Sequence, residues 1–193
     1  MERLFYEEPS IERKEEALSY IQEFKDYNSK IHGVGGLHKF IDKYEEWLLK
    51  LQKEKEIEPT ELLVPALTYF LIRESDNRLV GMTNIRLTLN RQLRESGGHI
   101  GYGIRPTERR KGYNKINLYL ALKVCDEHGI ERAMLSCDKE NLGSSSTMKA
   151  LGAEKEKEFY TEEGVLEEIY WIDVKKSLEK YCDIYETQTK KKR

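Results

Sequence analysis

Apolar residues in the first third of the chain recur at helical spacing. In "PSIERKEEALSYIQEFKDYN", Ala17, Ile21, Phe24 and Asn28 share one stripe, with Leu18 and Tyr20 beside it. In "GLHKFIDKYEEWLLKLQKEK", Leu37, Phe40, Tyr44, Trp47, Leu48 and Leu51 make an apolar face. Both patterns predict helices. The intervening "IHGVGG" carries three glycines and predicts a flexible connection.

The period then changes. "LLVPALTYFLIRES" and "LVGMTNIRLTLN" are rich in apolar, aromatic and β-branched residues and flank the turn signal "DNR". They predict a hairpin of long strands. After the polar "RQLRESGG", "HIGYGIRP" predicts a third strand that Pro106 closes. "GYNKINLYLALKVCDEHG" has a wide apolar arc, so it predicts a largely buried helix that stops at Gly129. "RAMLSCD" predicts a strand, and "NLGSSSTMKALG" a short helix capped by Asn141 and ended by Gly152. "AEKEKEFYTEEG" and "VLEEIYWIDV" predict a closing hairpin. Residues 175–193 predict a tail, partly helical and frayed at its basic end. The whole predicts one α/β domain over residues 1–174.

Composition narrows the function. The 193 residues are 38% hydrophobic and 35% charged with a formal net charge of −2, which gives no global attraction to nucleic acid or an anionic membrane. No apolar run reaches membrane-spanning length, and the N-terminus lacks the apolar stretch of an export signal. Cys125, Cys137 and Cys182 are an odd number without a CxxC pair, which suits a reducing cytoplasm and argues against a metal site.

The chemistry concentrates in "GHIGYGIRPTERRKGYNK". A strand, a Pro, a basic turn and a buried helix follow one another. A helix start offers unpaired N–H groups to an anion, and Arg109, Arg110 and Lys111 crowd that start around Gly112. A solvated basic turn is the simpler alternative. Gly101 and Gly103 share a strand face with His99, a sign of a bulge or of close approach by another chain or a ligand.

"IGYGIRPTERRKGYNKINLYLAL" resembles the acyl-CoA-binding motif of the GNAT N-acetyltransferases. Arg109 matches its first position and Gly112 its central glycine, whereas Asn114 stands where the family has Gly or Ala. "LSCDKENLGSSSTMKALGA" extends the likeness through Asn141 and Gly152, as does the order of elements from about residue 10 to 174. "GLHKFIDKYEEWL" and "CDKENLGSSST" are similar to a bacterial branch of predicted acetyltransferases.

The resemblance implies a mixed, mostly antiparallel sheet flanked by helices and splayed between strands 99–105 and 133–138. It implies that pantetheine of acetyl-CoA lies along Tyr102, Gly103, Ile104 and Arg105. Arg109, Arg110, Lys111, Gly112, Tyr113, Asn114 and Lys115 would hold the diphosphate, with Asn141 and Ser144 on the pantetheine arm. An N–H of Tyr102 or Gly103 would stabilise the oxyanion, and no metal is expected. An amine of a small molecule or peptide would attack the thioester directly.

His99 is the first candidate base, Glu108 a weaker one, and His32 a candidate substrate contact. Met148 stands where relatives carry an acid Tyr, which leaves Tyr102, Tyr113 or water for that role. Cys137 reads as a nucleophile or, more simply, a buried apolar residue. A CoA-binding sensor without turnover is the rival reading. A monomer or homodimer fits either.

Overall fold

The chain runs β1 (Leu4–Glu7), α1 (Lys14–Asp26), α2 (Tyr44–Glu54), β2 (Ala66–Arg73), β3 (Arg78–Arg86), α3 (Arg91–Glu95), β4 (Ile100–Ile104), α4 (Tyr113–Glu127), β5 (Arg132–Asp138), α5 (Leu142–Ala150), β6 (Glu154–Tyr160), β7 (Leu166–Asp173) and α6 (Val174–Tyr185). This order comes from a computed structural model that describes residues 2–189. The strands form two sheets, ordered β1-β2-β3-β4 and β5-β7-β6, and every ladder is antiparallel.

The β2–β3 hairpin turns where the sequence predicts, with Asn77 in the left-handed region at φ 57°. β2 is apolar almost throughout because helices cover both its faces. On one face Phe70, Ile72, Leu79 and Met82 pack with Tyr20, Phe24 and Trp47 of α1 and α2. On the other, Leu67, Leu71, Val80 and Ile85 meet Leu118, Leu122 and Cys125 of α4. α4 therefore buries nearly all its circumference, including Asn117, whose Oδ1 accepts from Tyr6 Oη (2.8 Å) and Thr83 Oγ1 (2.7 Å).

Three elements depart from the sequence-based expectation. β1 was hidden in the acidic start "MERLFYEE"; its Leu4 is fully buried and it adds an edge strand beside β2. α3 forms inside the polar "RQLRESGG", capped by Asn90 Oδ1 accepting from Leu93 N–H (3.0 Å). The tail folds into the twelve-residue α6. Asp173 caps it, and Tyr185 packs against Tyr119 of α4 with ring centroids 5.4 Å apart. The basic end at 190–193 lies outside the described residues.

The "IHGVGG" loop is not loosely draped. Gly33, at φ 72°, sits directly on β4: a Cβ there would come 2.5 Å from Tyr102 Cα and 2.6 Å from Gly101 O. Gly129, at φ 71°, has open space around it. Gly129→Ala is thus expected to cost only the left-handed penalty, about 1 kcal/mol. Gly33→Ala adds overpacking to that penalty, for a total of about 3 kcal/mol. Urea unfolding of the two variants measures the difference; equal losses would show that the loop is not seated on β4.

Candidate active site

β4 is bonded along one edge and open along much of the other. Arg105 N–H donates to Val80 O (2.9 Å) and Arg86 N–H to His99 O (2.8 Å). With the β3–β4 register, this turns the backbone groups of Gly101 and Gly103 toward β3. Tyr102 and Ile104 turn theirs away. Ile104 O accepts from Arg109 Nε (3.2 Å), so Tyr102 presents its backbone to the gap. β5 meets this strand at its start, where His99 N–H donates to Met134 O (2.7 Å) and Gly98 bridges Leu135.

The glycine face of β4 is occupied by the chain itself. A Cβ at Gly103 would lie 2.8 Å from Tyr20 Oη and 3.1 Å from His32 O, and one at Gly101 would touch Gly33. The close approach that these glycines signal is therefore made by the 31–33 loop and α1. Tyr102 projects to the opposite face, where its hydroxyl lies 2.9 Å from Ser144 Oγ.

Two clefts flank this point. A groove of ≈ 800 Å³ runs past Gly103 and Ile104 to the start of α4, lined also by Arg109, Arg110, Gly112, Tyr113, Asn114 and Lys115. A second cleft of ≈ 620 Å³ opens under the 31–36 loop, between Arg86 on β3 and Asp138 and Glu167 at the ends of β5 and β7. His32, Tyr102, Asn141 and Ser144 line both. Of the residues expected around a cofactor, only the side chains of Arg105 and Lys111 stand outside the groove.

The groove ends in a turn whose backbone could accept an anion. Arg110 and Gly112 both take left-handed backbone, at φ 66° and 81°. Gly112 needs its missing Cβ for that conformation rather than for space, since nothing lies within 4 Å of where one would stand. No side chain caps α4, so its first N–H groups face the groove.

Two carboxylates, half-buried Glu23 and buried Glu108, hold the turn on both sides. Glu23 accepts from Arg105 (2.8 Å), Thr107 N–H (2.8 Å) and Thr107 Oγ1 (2.8 Å). Glu108, only 3% exposed, pairs with Arg73 (2.7 Å), Lys111 (2.8 Å) and Arg78 (3.1 Å). Burial opposes ionisation of both acids. Arg105 with Thr107, and Lys111 with Arg73, nevertheless hold them below the usual carboxylate range. Glu108 is an anchor here, already committed to three cations. Glu23 and Thr107 carry no sequence signal, because they meet only through the fold.

The cations of the turn divide in use. Arg109 is spent on Ile104 O, on Ser29 Oγ (2.8 Å) and on the Phe24 ring, whereas Arg110 and Lys115 enter no ion pair among the described residues and line the groove. Asn114 does not crowd the turn. Its Nδ2 donates to Thr147 Oγ1 (3.3 Å), which ties α4 to α5. Asn141 caps α5 as expected, with Oδ1 accepting from Ser144 N–H (3.1 Å).

The two histidines change places relative to expectation. His99 lines neither cleft. It is buried, its Nδ1 accepts from Met134 N–H (3.0 Å), and its ring meets Trp171 edge-on. Burial, then the charges of Arg94 and Arg86, lower its pKa to about 4. His32 stands at the meeting of the clefts. Its ring keeps solvent access, yet the dense wall around it lowers its pKa, with Asp138 pulling the other way. Burial raises the pKa of the Tyr102 hydroxyl, which stays protonated at neutral pH. Met148 is wholly buried in the core, and burial pushes the Cys137 thiol up to about 11. Among the described residues no His, Cys, Asp and Glu cluster could hold a metal ion, and no helix is long and apolar enough to cross a membrane.

This combination of splayed strands, uncapped helix start and paired clefts is that of an acyltransferase fold. A family model, Acetyltransferase (GNAT) family, matches residues 21–153, and the chain belongs to that family. Solved structures share the fold. A microcin C7 self-immunity acetyltransferase, MccE, in complex with acetyl-CoA and AMP is 18% identical with a TM-score of 0.63, covering 88% of this chain and 91% of that one. The ribosomal-protein-S5-alanine acetyltransferase of Vibrio fischeri is 13% identical at TM-score 0.64, covering 87% and 92%. A spermidine N-acetyltransferase chimera of Vibrio cholerae SpeG and hSSAT is 13% identical at TM-score 0.64, covering 91% and 99%. No curated protein sequence matches the chain.

The burial of His99 sets a pH dependence of stability. An unfolded histidine binds its proton near pH 6.5, whereas folded His99 refuses it down to about 4. Stability is therefore lost as pH falls through this window, by about 3 kcal/mol from this group. His99→Asn keeps an acceptor for Met134 N–H and removes the titration. The stability gap between wild type and variant is expected to shrink or reverse in urea unfolding as pH drops from about 7 to about 4.5. A gap independent of pH would place His99 in solvent.

Proposed function

We propose that the protein is a cytoplasmic, acetyl-CoA-dependent N-acetyltransferase that acetylates the amine of a small molecule or peptide by direct attack. The observation that carries this reading is the meeting of the two clefts at Tyr102, Ser144, Asn141 and His32. One cleft ends in uncapped helix N–H groups with two uncommitted cations, which fits a diphosphate; the other is free to admit an acceptor.

Bound acetyl-CoA supplies the thioester. The N–H groups at the start of α4, with Arg110 and Lys115, would hold its diphosphate. Asn141 keeps Nδ2 for the pantetheine arm, because its Oδ1 already caps α5. Backbone parity selects Tyr102 rather than Gly103 as the strand N–H that faces a carbonyl oxygen in the gap. The protonated Tyr102 hydroxyl, beside Ser144, is the donor for a departing thiolate and takes the place that Met148 cannot fill. His32, neutral at pH 7, receives the amine proton. His99 contributes by fastening β4 to β5. The protonated Cys137 argues against a ping-pong route.

Calorimetry with acetyl-CoA is the first test. Arg110→Ala and Lys115→Ala are each expected to weaken binding about fivefold without lowering thermal stability; an unchanged double variant would sink the diphosphate assignment. Tyr102→Phe should lower kcat tenfold or more at unchanged acetyl-CoA affinity. His32→Gln should abolish the acid limb of kcat/KM, which lies below pH 6.5 because the His32 pKa is lowered. Acetyl-CoA binding without thiol release across an amine panel would favour a binding module over an enzyme.

A further inference from the structure

The loop cleft holds opposite charges that do not pair with each other. Arg86 rises from the end of β3 into the cleft wall. Its Nη1 donates to the carbonyls of Gly98 (3.1 Å) and Gly97 (3.4 Å), and among the described residues no carboxylate forms an ion pair with it. A guanidinium has five N–H donors, so Nε and Nη2 are left for something in the cleft. Burial disfavours its charge, and no neighbouring acid offsets that cost.

The acids of the cleft divide in the same way. Glu54 is paired with Lys50 (2.6 Å), and Asp138 with Lys30. Glu167, on β7, accepts from Ser96 Oγ (2.8 Å) and has no cation within pairing distance among the described residues. The cleft thus presents one uncommitted cation and one uncommitted carboxylate on different strands. His32 feels the charge of both.

On the reading of this protein as an acetyltransferase, we propose that its acceptor is a small zwitterionic amine whose carboxylate pairs with Arg86 and whose ammonium is drawn to Glu167. A carboxylate is the partner that a guanidinium fork fits in two parallel bonds. The ammonium releases one proton to solvent to become the nucleophile. Its nitrogen then bonds the acetyl carbon as the carbon–sulfur bond breaks. The second proton passes to His32 and the thiolate takes the Tyr102 proton. The net reaction converts an ammonium and a thioester into an amide, a thiol and one proton. A free diamine of the spermidine type would leave Arg86 unpaired and place a second positive charge beside it.

Thiol release from acetyl-CoA tests this with matched acceptors: amino acids against the amines that lack only the carboxylate. Wild type is expected to favour the amino acids at least thirtyfold in kcat/KM. Arg86→Met should raise KM for the amino acids thirtyfold or more and leave acetyl-CoA affinity unchanged, with Arg86→Lys in between. The preference of wild type stands by itself if the Met variant fails to fold. Equal or better turnover of amines without a carboxylate overturns the proposal and leaves the transferase reading intact. If no amine turns over, calorimetry of the amino acids against the CoA-loaded protein decides: binding lost in Arg86→Met supports the proposal, and no binding overturns it. Failure to bind acetyl-CoA would overturn both readings.

Discussion

A backbone amide turned away from its ladder is the constraint around which this protein is arranged. β4 can satisfy β3 only with alternate residues, so Tyr102 must point its N–H and C=O elsewhere. In a continuous sheet β5 would take them. Here β5 belongs to a different sheet and meets the strand only at its start, through His99 and Gly98. The gap beyond that junction exists because the second sheet is built on β7 and not on β4. Everything that lines the gap follows from this: the Tyr102–Ser144 contact across it, the Asn141 cap beside it, and the 31–33 loop that seals the glycine face of β4.

Holding a helix start open is costly, and two paired carboxylates stabilise the arrangement. Two residues in the turn before α4 adopt left-handed backbone, one of them an arginine. Such a turn needs neighbours that fix its ends. Glu23 clamps Thr107 and Arg105 to α1, and Glu108 gathers Arg73, Arg78 and Lys111 from the hairpin and the turn itself. The acids also sort the basic cluster. Lys111 is neutralised, Arg109 is used for packing, and Arg110 and Lys115 alone stay open to the groove. A run of positive residues in the sequence is therefore not a uniform patch; its charges differ in availability because the fold assigns partners to some of them.

The legibility of the sequence tracks the range of the forces involved. Strands and helices whose pattern is set by burial on a regular face were readable: the β2–β3 hairpin, α4, the Asn141-capped α5 and the closing hairpin all lie where periodicity and capping put them. β1 was not, because four residues beside acidic neighbours carry too little pattern, and its place depends on an edge that β2 supplies. The tail's sequence predicts only partial helix, because the burial of α6 depends on Tyr185 meeting Tyr119 of α4. The groove leading to α4 was legible for a related reason. Its lining is nearly contiguous in sequence, from Tyr102 to Lys115, and includes the backbone of a helix start.

The cleft under the 31–36 loop was not legible, and two histidines show why. His99 and His32 are the same residue type, and the sequence favours His99 because it stands at the head of the glycine strand. The fold turns that ring into the junction with β5, where Met134 N–H claims Nδ1 and Trp171 packs on its edge. The glycine loop instead brings His32 to the meeting of the clefts. That loop was read as flexible, whereas Gly33 is pressed onto β4 so closely that no side chain fits between them. Arg86, Glu167 and Asp138 reach the same cleft from β3, β7 and β5, dozens of residues apart. A cleft lined by such convergence has no local code. It becomes readable only when the partners of each charge have been assigned and the charges without partners stand out.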